Sequence, residues 1–317
     1  MLILCIILVF AGAAILLASI IRYYRALIHL RSEAYADKTF SNWTYVLCML
    51  LMVFFLLGNV ALGSVFLVGK AYAVSDLLIS LIFFFGAVFV FVVISVQGRM
   101  SKAISHQTDE IIRTLVNAME AKDKYTRGHS VHVMNLVNLF YKYLPDEMRQ
   151  QINPEHLADA AILHDIGKLG ISDIVLNKPG PLTEDEMAVI RTHPRVGKDI
   201  LAQTSFSELG DIILCHHERI DQRGYYRLPE DQIPLESKII AIADTFSALY
   251  SDRVYRPRKS YIEAMRIIQQ SAGTQLDAEL ASIFTKIPES EILSASRDLF
   301  QMEQGAGTPF TRLQHIK

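Results

Sequence analysis

Leu157-Ala158-Asp159-Ala160-Ala161-Ile162-Leu163-His164-Asp165-Ile166-Gly167-Lys168 is the stretch on which the reading of this chain turns. It begins as an apolar run and ends in a His-Asp pair followed by a lysine. A carboxylate inside a run that should be buried costs several kcal/mol unless it is compensated. Asp244, at the end of Ile239-Ile240-Ala241-Ile242-Ala243-Asp244, has the same context. His129 follows Gly128, His193 sits in Thr192-His193-Pro194, and His216 and His217 are adjacent. A lone buried histidine is more often a core residue than a ligand. Five histidines and two aspartates of this kind, on several helices of one domain, point to a divalent metal centre.

Neighbouring residues of a helix point about 100° apart. His216 and His217 are therefore expected to serve two adjacent ions rather than one, with an aspartate bridging the pair. Two ions ~3.5–4 Å apart activate water and stabilise the oxygens of an in-line phosphoryl displacement. The mixed imidazole and carboxylate set suits Fe or Mn better than a tetrahedral structural zinc. Neither Cys-x-x-Cys nor His-Glu-x-x-His occurs, which removes zinc-finger and zincin readings. The other histidines, His29, His106, His132, His156 and His315, fall in polar or helical contexts with no evident partner. Lys168 shares the helix face of the His-Asp pair if the helix persists through Gly167; it then either contacts a phosphate or is solvated. Arg253 and Arg256 follow Asp244 by nine and twelve residues and suit phosphates or surface ion pairs.

Outward from these residues the patterns are helical: roughly 130–144, 155–167, 183–203, 208–217, 235–250, 259–271 and 277–286. Thr183 with Glu186 reads as a capping box. No strand alternation appears, so this half is expected to be all-α. The stretch from 97, with Ile111, Leu115, Ala118 and Met119 on one face, continues the last apolar segment. It either pairs two copies of the chain as a homodimer or packs on its own domain.

The 51% hydrophobic content is concentrated in the first hundred residues. Uncharged runs at 2–21, 43–68 and 77–96 are each long enough for a helix to cross a ~30 Å hydrocarbon core. Nothing basic precedes the first run, so it reads as a retained span rather than a cleaved leader. Arg22, Arg25, Arg31 and Lys38 fill the first loop, whereas only Lys70 lies in the second; Arg99 and Lys102 follow the third span. This bias puts the N-terminus outside and the C-terminal half in the cytoplasm. Trp43, Tyr45 and Tyr72 suit the interfaces. The external loop near 69–76 is too short for a sensor domain, leaving the spans as an anchor or a sensor within the bilayer. A net charge of −2 offers no electrostatic footprint for a nucleic-acid polymer. Three scattered cysteines (Cys5, Cys48, Cys215) exclude a disulfide framework.

The order of motifs resembles the HD-GYP family. Ala121-Lys122-Asp123-Lys124-Tyr125-Thr126-Arg127-Gly128-His129-Ser130 is similar to its opening motif, and His164-Asp165-Ile166-Gly167-Lys168 to its His-Asp core. Lys178-Pro179-Gly180, Leu182-Thr183, His193-Pro194, His216-His217-Glu218-Arg219, Asp221, Gly224-Tyr225 and Gly273-Thr274-Gln275-Leu276-Asp277 follow in order, over about 110–286. The resemblance implies an all-helical HD-type phosphohydrolase domain that linearises cyclic di-GMP to pGpG or cuts it to GMP. It implies a bacterial signalling protein of the inner membrane, with a diguanylate cyclase or effector as further partner. It implies two divalent ions held by His129, His164, Asp165, His193, His216, His217 and Asp244, with Asp165 and Asp244 as bridges. Asp165 and Lys168 would be catalytic; Lys168, Arg253, Arg256, Gly224 and Tyr225 would meet the substrate.

Three positions depart from the family: Tyr226 replaces the proline of Gly-Tyr-Pro, Gln222 replaces the glycine of the preceding Asp-Gly, and Ser247 replaces an aspartate three after Asp244. Tyr125 cannot act like the glutamate that some members use for a third metal. The altered loop keeps two alternatives open: a catalytically weak cyclic-dinucleotide receptor, or a phosphohydrolase on another nucleotide. The expected organisation is a membrane region at 1–96, a linker helix at 97–120, the HD-GYP-like domain at 121–300 and a weakly patterned tail at 301–317.

Overall fold

The computed structural model describes residues 2–33, 42–68, 74–123, 128–251 and 257–297. Tyr125, Arg253, Arg256, Lys38, Lys70, Tyr72 and the tail 301–317 lie outside them. The described residues form α-helices and short 3-10 turns, with no strand beyond an isolated bridge between Ala272 and Leu276. The all-α expectation holds. The chain divides into two units, 1–108 and 109–317.

The first unit holds α1 (Leu2–Glu33), α2 (Asn42–Leu67) and most of α3 (Val74–Lys122). Leu2–Arg25, Val46–Leu67 and Ser75–Met100 are long and apolar enough to cross a membrane. Helices α1 and α2 pack through Cys5 and Val9 against Phe66. A Cβ on Gly12 would lie 2.9 Å from Asn59 Oδ1, and one on Gly63 2.9 Å from the Phe10 ring. Small residues at such points let helices approach where water gives no hydrophobic drive. Large apolar side chains such as Phe54 and Phe89 face outward.

The second unit carries α4 (His129–Tyr143), α5 (Asp146–Arg149), α6 (Pro154–Leu163), α7 (Asp173–Leu176), α8 (Glu184–Ile190), α9 (His193–Leu201), α10 (Gly210–Cys215), α11 (Leu235–Tyr250), α12 (Tyr261–Ser271), α13 (Ala278–Phe284) and α14 (Glu289–Ala295). Local chemistry sets the starts. Asn153 caps α6, accepting from the N–H groups of Glu155 and His156, with Pro154 at the first helical position. The capping box between Thr183 and Glu186 is present at α8. Ser260 and Asp277 cap α12 and α13.

Helix α11 is central: Ile239, Ile240, Ile242, Ala243 and Phe246 are fully buried. Phe246 meets Phe284 edge-on at 5.6 Å, and Phe284 meets Phe140 at 5.1 Å. Burial of each such side chain contributes roughly 1.5–3 kcal/mol. This core ties α4, α11 and α13 into one body, from which the ends of neighbouring helices project toward a common point.

Two expected helices are shorter than their patterns. The one at 155–167 stops at Leu163, and a 3-10 turn, Ile166–Gly170, follows. The one at 183–203 is two helices, broken at Arg191-Thr192, because Pro194 lacks an N–H to continue the ladder. Both breaks serve one contact. The 3-10 turn lies on α9 so closely that a Cβ at Gly167 would stand 1.8 Å from the His193 carbonyl oxygen and 2.5 Å from Gly197 N. Backbone cannot swing aside as a side chain can. Gly167→Ala should therefore push the start of α9 away, cost ~3 kcal/mol or more, and take His193 out of the cluster described below. Thermal unfolding together with metal content checks this; wild-type values for both would refute it.

Candidate metal centre

Six of the seven candidate ligands line one cavity of about 630 Å³ in the second unit, and His164 stands behind it with Nε2 3.4 Å from Asp165. Each comes from the end of an element or from α11. His129 is the first residue of α4, His164 and Asp165 follow α6, His193 opens α9, His216 and His217 follow α10, and Asp244 lies within α11. Two groups place ligand atoms within 4.8 Å of one another: His129, His164 and Asp165; and Asp165, His193, His216 and His217. Asp165 belongs to both. Asp244 lies outside these groups, with Oδ1 3.1 Å from His129 Nε2.

His216 and His217 both place a ligand atom in the second group, with ring centroids 4.0 Å apart. Helix α10 ends at Cys215, and the pair follows on the turn, with His216 still in a helical backbone conformation.

The rings are aimed by their second nitrogens. His164 Nδ1 donates to Ala161 O (2.7 Å), His193 Nδ1 to Ile190 O (2.8 Å) and His216 Nδ1 to Ile213 O (2.6 Å). A carbonyl can only accept, so each of these nitrogens carries the proton and Nε2 is left as a ligand atom. His193 Nε2 and His216 Nε2 then face each other at 3.4 Å. Two lone pairs at that distance repel unless a cation lies against them. With buried Asp165 within 3.3 Å of His193 and 3.4 Å of His164, the donor set fits divalent ions.

The buried charges compensate one another. Burial opposes the charge of Asp165, but the Lys168 cation and His164 hold its carboxyl well below the usual range. Asp244 is likewise lowered against burial by its neighbour His129. His164 is raised: burial works against its proton, and the charge and hydrogen bond of Asp165 outweigh that. Burial and neighbouring imidazoles push His216 well down. Burial, only partly offset by Asp244, takes His217 to about 4. Both are unprotonated at neutral pH, as ligands must be.

Lys168 reaches this point without the continuous helix on which its expectation was based. The 3-10 turn places Nζ 2.8 Å from Asp165 Oδ2 and 3.0 Å from Asp123 Oδ2. Burial of the ammonium is outweighed by the two carboxylates, which raise its pKa. Asp123, at the end of α3, was quoted only as motif context; its contact with Lys168 across 45 positions left no periodic signal.

The substituted loop is held by backbone bonds. Gln222 adopts φ 59°, the left-handed conformation natural to the glycine it replaces. The buried Glu218 carboxylate accepts from Tyr226 N–H (2.7 Å) and Leu228 N–H (2.8 Å). A Cβ on Gly224 would stand 2.7 Å from Glu218 Cα, so this glycine serves the close packing of the loop. Tyr225 lines the cavity, its ring 4.6 Å from that of His217. Burial, with Asp165 and Asp244, raises its phenol to about 12, which leaves it a hydrogen-bond donor. Arg219 pairs with Asp221 at 2.7 and 2.9 Å and reaches Gln275 Oε1 at 3.3 Å, joining the loop to the closing motif.

His132 corrects another expectation. It has partners: it is fully buried, with Nδ1 2.9 Å from Ser247 Oγ and Nε2 2.8 Å from Ser296 Oγ. Burial, reinforced by His129, lowers its pKa to about 3. In the unfolded chain it takes up a proton near pH 6.5, and in the folded chain only near pH 3. Stability is therefore complete above pH 6.5 and falls as pH drops through this window. Between pH 7 and pH 5 this one group should cost about 2 kcal/mol. Amide hydrogen exchange of α4 in metal-free wild type and His132→Asn should show it: the variant loses less protection over that interval. Equal losses would mean that His132 does not stay neutral.

The HD domain family matches residues 113–280. Among curated relatives, a cyclic di-GMP phosphodiesterase of Vibrio cholerae is 35% identical over 202 residues, covering 59% of this chain and 41% of that protein. A cyclic di-GMP phosphodiesterase of Thermotoga maritima is 36% identical over 193 residues, covering 59% of this chain and 51% of that protein. A 3'3'-cGAMP-specific phosphodiesterase of Vibrio cholerae is 35% identical over 178 residues, covering 56% and 38%. The chain thus spans about half the length, or less, of the relatives it matches. With the His-Asp core in place and the match covering more than half of its length, the chain belongs to the HD domain family, in its HD-GYP branch.

Proposed function

We propose that this chain is a membrane-anchored, metal-dependent phosphodiesterase that opens cyclic di-GMP to pGpG or GMP. The observation that carries the reading is Asp165: one buried carboxylate common to two ligand groups, with Lys168 beside it at the wall of a cavity of ligand size. The names of its relatives support the substrate class.

His129, His164 and Asp165 would hold one ion, and Asp165, His193, His216 and His217 the other, with Asp244 beside His129. Fe or Mn fits this donor set. When bound, such ions lower the pKa of an attacking water and neutralise charge on phosphate oxygens. The chain's own residues do the rest. The backbone carbonyls behind His164, His193 and His216 fix the rings before anything binds. Lys168 holds Asp165 and Asp123 together and offers positive charge to a phosphate oxygen. Tyr225 offers a protonated phenol at the same wall. Arg253 and Arg256 are assigned to phosphate by motif position. In the cell the reading places the N-terminus outside an inner membrane and the centre in the cytoplasm. Ile112 and Val116 lie in the core of the second unit, which favours packing of this part of the stretch from 97 on its own domain over pairing of two copies; a cyclase or effector would share the signal.

A second reading, hydrolysis of a mixed cyclic dinucleotide, is favoured by the cGAMP-specific relative. The receptor alternative draws on the replaced loop residues, although the loop keeps a glycine-like backbone at Gln222.

The test is the detergent-solubilised chain loaded anaerobically with Mn or Fe(II), with both dinucleotides followed by chromatography and metal measured in parallel. Cyclic di-GMP should be converted. Asp165→Ala should lose both metal and activity; Lys168→Ala should keep metal and lose turnover about 100-fold or more. Two ions bound with cyclic di-GMP left intact would overturn the reading, and equal metal loss in both variants would remove the phosphate role of Lys168.

A further inference from the structure

Three of the candidate ligand histidines lean on carbonyls near the ends of helices α6, α8 and α10, where no backbone N–H of the helix is left to fill them. His129 stands at the opposite kind of end. It opens α4, where the unfilled backbone groups are N–H donors. Its Nδ1 meets Ser247 Oγ instead, at 2.8 Å. From there the contacts continue: Ser247 Oγ to His132 Nδ1 at 2.9 Å, His132 Nε2 to Ser296 Oγ at 2.8 Å, and Ser296 Oγ to Ile292 O at 2.8 Å. Ser247, His132 and Ser296 have 0% exposure, so water does not compete at these links.

The far end sets the direction of the protons. The Ile292 carbonyl can only accept, so the Ser296 hydroxyl donates to it and must accept from His132 Nε2–H. A neutral His132 then has a bare Nδ1, which accepts the Ser247 hydroxyl proton. The Ser247 oxygen, its one proton committed, accepts from His129 Nδ1–H. His129 Nε2 is left bare toward the cavity. The reverse order would leave the Ser296 and Ile292 oxygens 2.8 Å apart with no proton between them. In the order set by Ile292, His129 Nε2 and Asp244 Oδ1 face each other at 3.1 Å as two lone-pair atoms, a pairing that suits a cation between them.

We propose that Ser247, His132 and Ser296 are positioning residues, a directed hydrogen-bond relay that holds His129 in the Nδ1–H tautomer so that Nε2 can ligate a metal ion. This rests on the assignment of His129 as a ligand. It also accounts for Ser247 at a position where the family pattern has aspartate. A carboxylate could accept from two imidazoles at once, whereas a hydroxyl must pass a proton on. That makes the partner beyond it part of the metal site.

The test uses the full chain in detergent. In metal-free protein labelled with 15N-histidine at pH 8, the ring shifts of His129 should report a proton on Nδ1; a proton on Nε2 overturns the relay. Mn(II) titration gives a second readout. Ser247→Ala should weaken affinity about 10–100-fold, and Ser296→Ala should act in the same direction. The double variant should be no worse than Ser247→Ala, because a broken relay cannot be broken again. Losses that add, or no loss from Ser247→Ala, overturn it. His129→Ala separates the two layers. If it weakens Mn(II) binding while Ser247→Ala does not, the relay fails and the ligand assignment stands. If it changes nothing, both fall.

Discussion

The burial of Asp165 is the constraint that the second unit is built around. A carboxylate with 3% of its residue exposed must be surrounded by groups that accept its charge. Lys168 at 2.8 Å, His193 at 3.3 Å and His164 at 3.4 Å do so. To bring them there, α6 has to stop one residue before His164, the chain has to tighten into a 3-10 turn, and that turn has to touch the backbone of α9 at Gly167. The apolar core of α4, α11 and α13 gives these close approaches a packed base.

Placing ligands at helix ends follows from the same need. A histidine in mid-helix finds every nearby carbonyl already paired within the helix. At an end, Ala161, Ile190 and Ile213 have carbonyls to spare, and the imidazoles behind them are oriented without a dedicated side chain. Each such bond satisfies a buried acceptor and selects a tautomer in one step. His129 lacks that option and recruits three further side chains.

This explains what could be read from the sequence. Apolar runs long enough to cross a membrane, helical periodicity, and carboxylates set in apolar stretches all leave local marks. The architecture and the gathering of His129, His164, Asp165, His193, His216, His217 and Asp244 around one site followed from them. Helix ends leave weaker marks. The stop at Leu163 and the 3-10 turn after it go with the contact of Gly167 on α9, and α10 ends at Cys215, just before the His216-His217 pair. Periodicity reports the face on which a residue lies, not where the helix stops. Least legible were partners distant in the chain: Asp123 for Lys168, and Ser247 for His129 across 118 positions. His132 looked like an ordinary helical histidine because its partners, Ser247 and Ser296, lie 115 and 164 positions away.

The replaced loop carries restraints of its own. Proline would restrict the backbone through its ring but could give no N–H to a neighbour. With tyrosine at position 226, that N–H exists and the buried Glu218 carboxylate takes it, together with the N–H of Leu228. Charge-assisted bonds of this kind are about twice as strong as neutral ones. Restraint by a ring is thus exchanged for restraint by a carboxylate. Gln222 accepts the left-handed turn of the glycine it replaces, at a cost of roughly 1–2 kcal/mol. The outcome is the position of Tyr225, whose ring lies 4.6 Å from that of His217. What the replacement alters is the dependence of the loop on Glu218, one residue from a candidate metal ligand, so that loop and metal centre share a support.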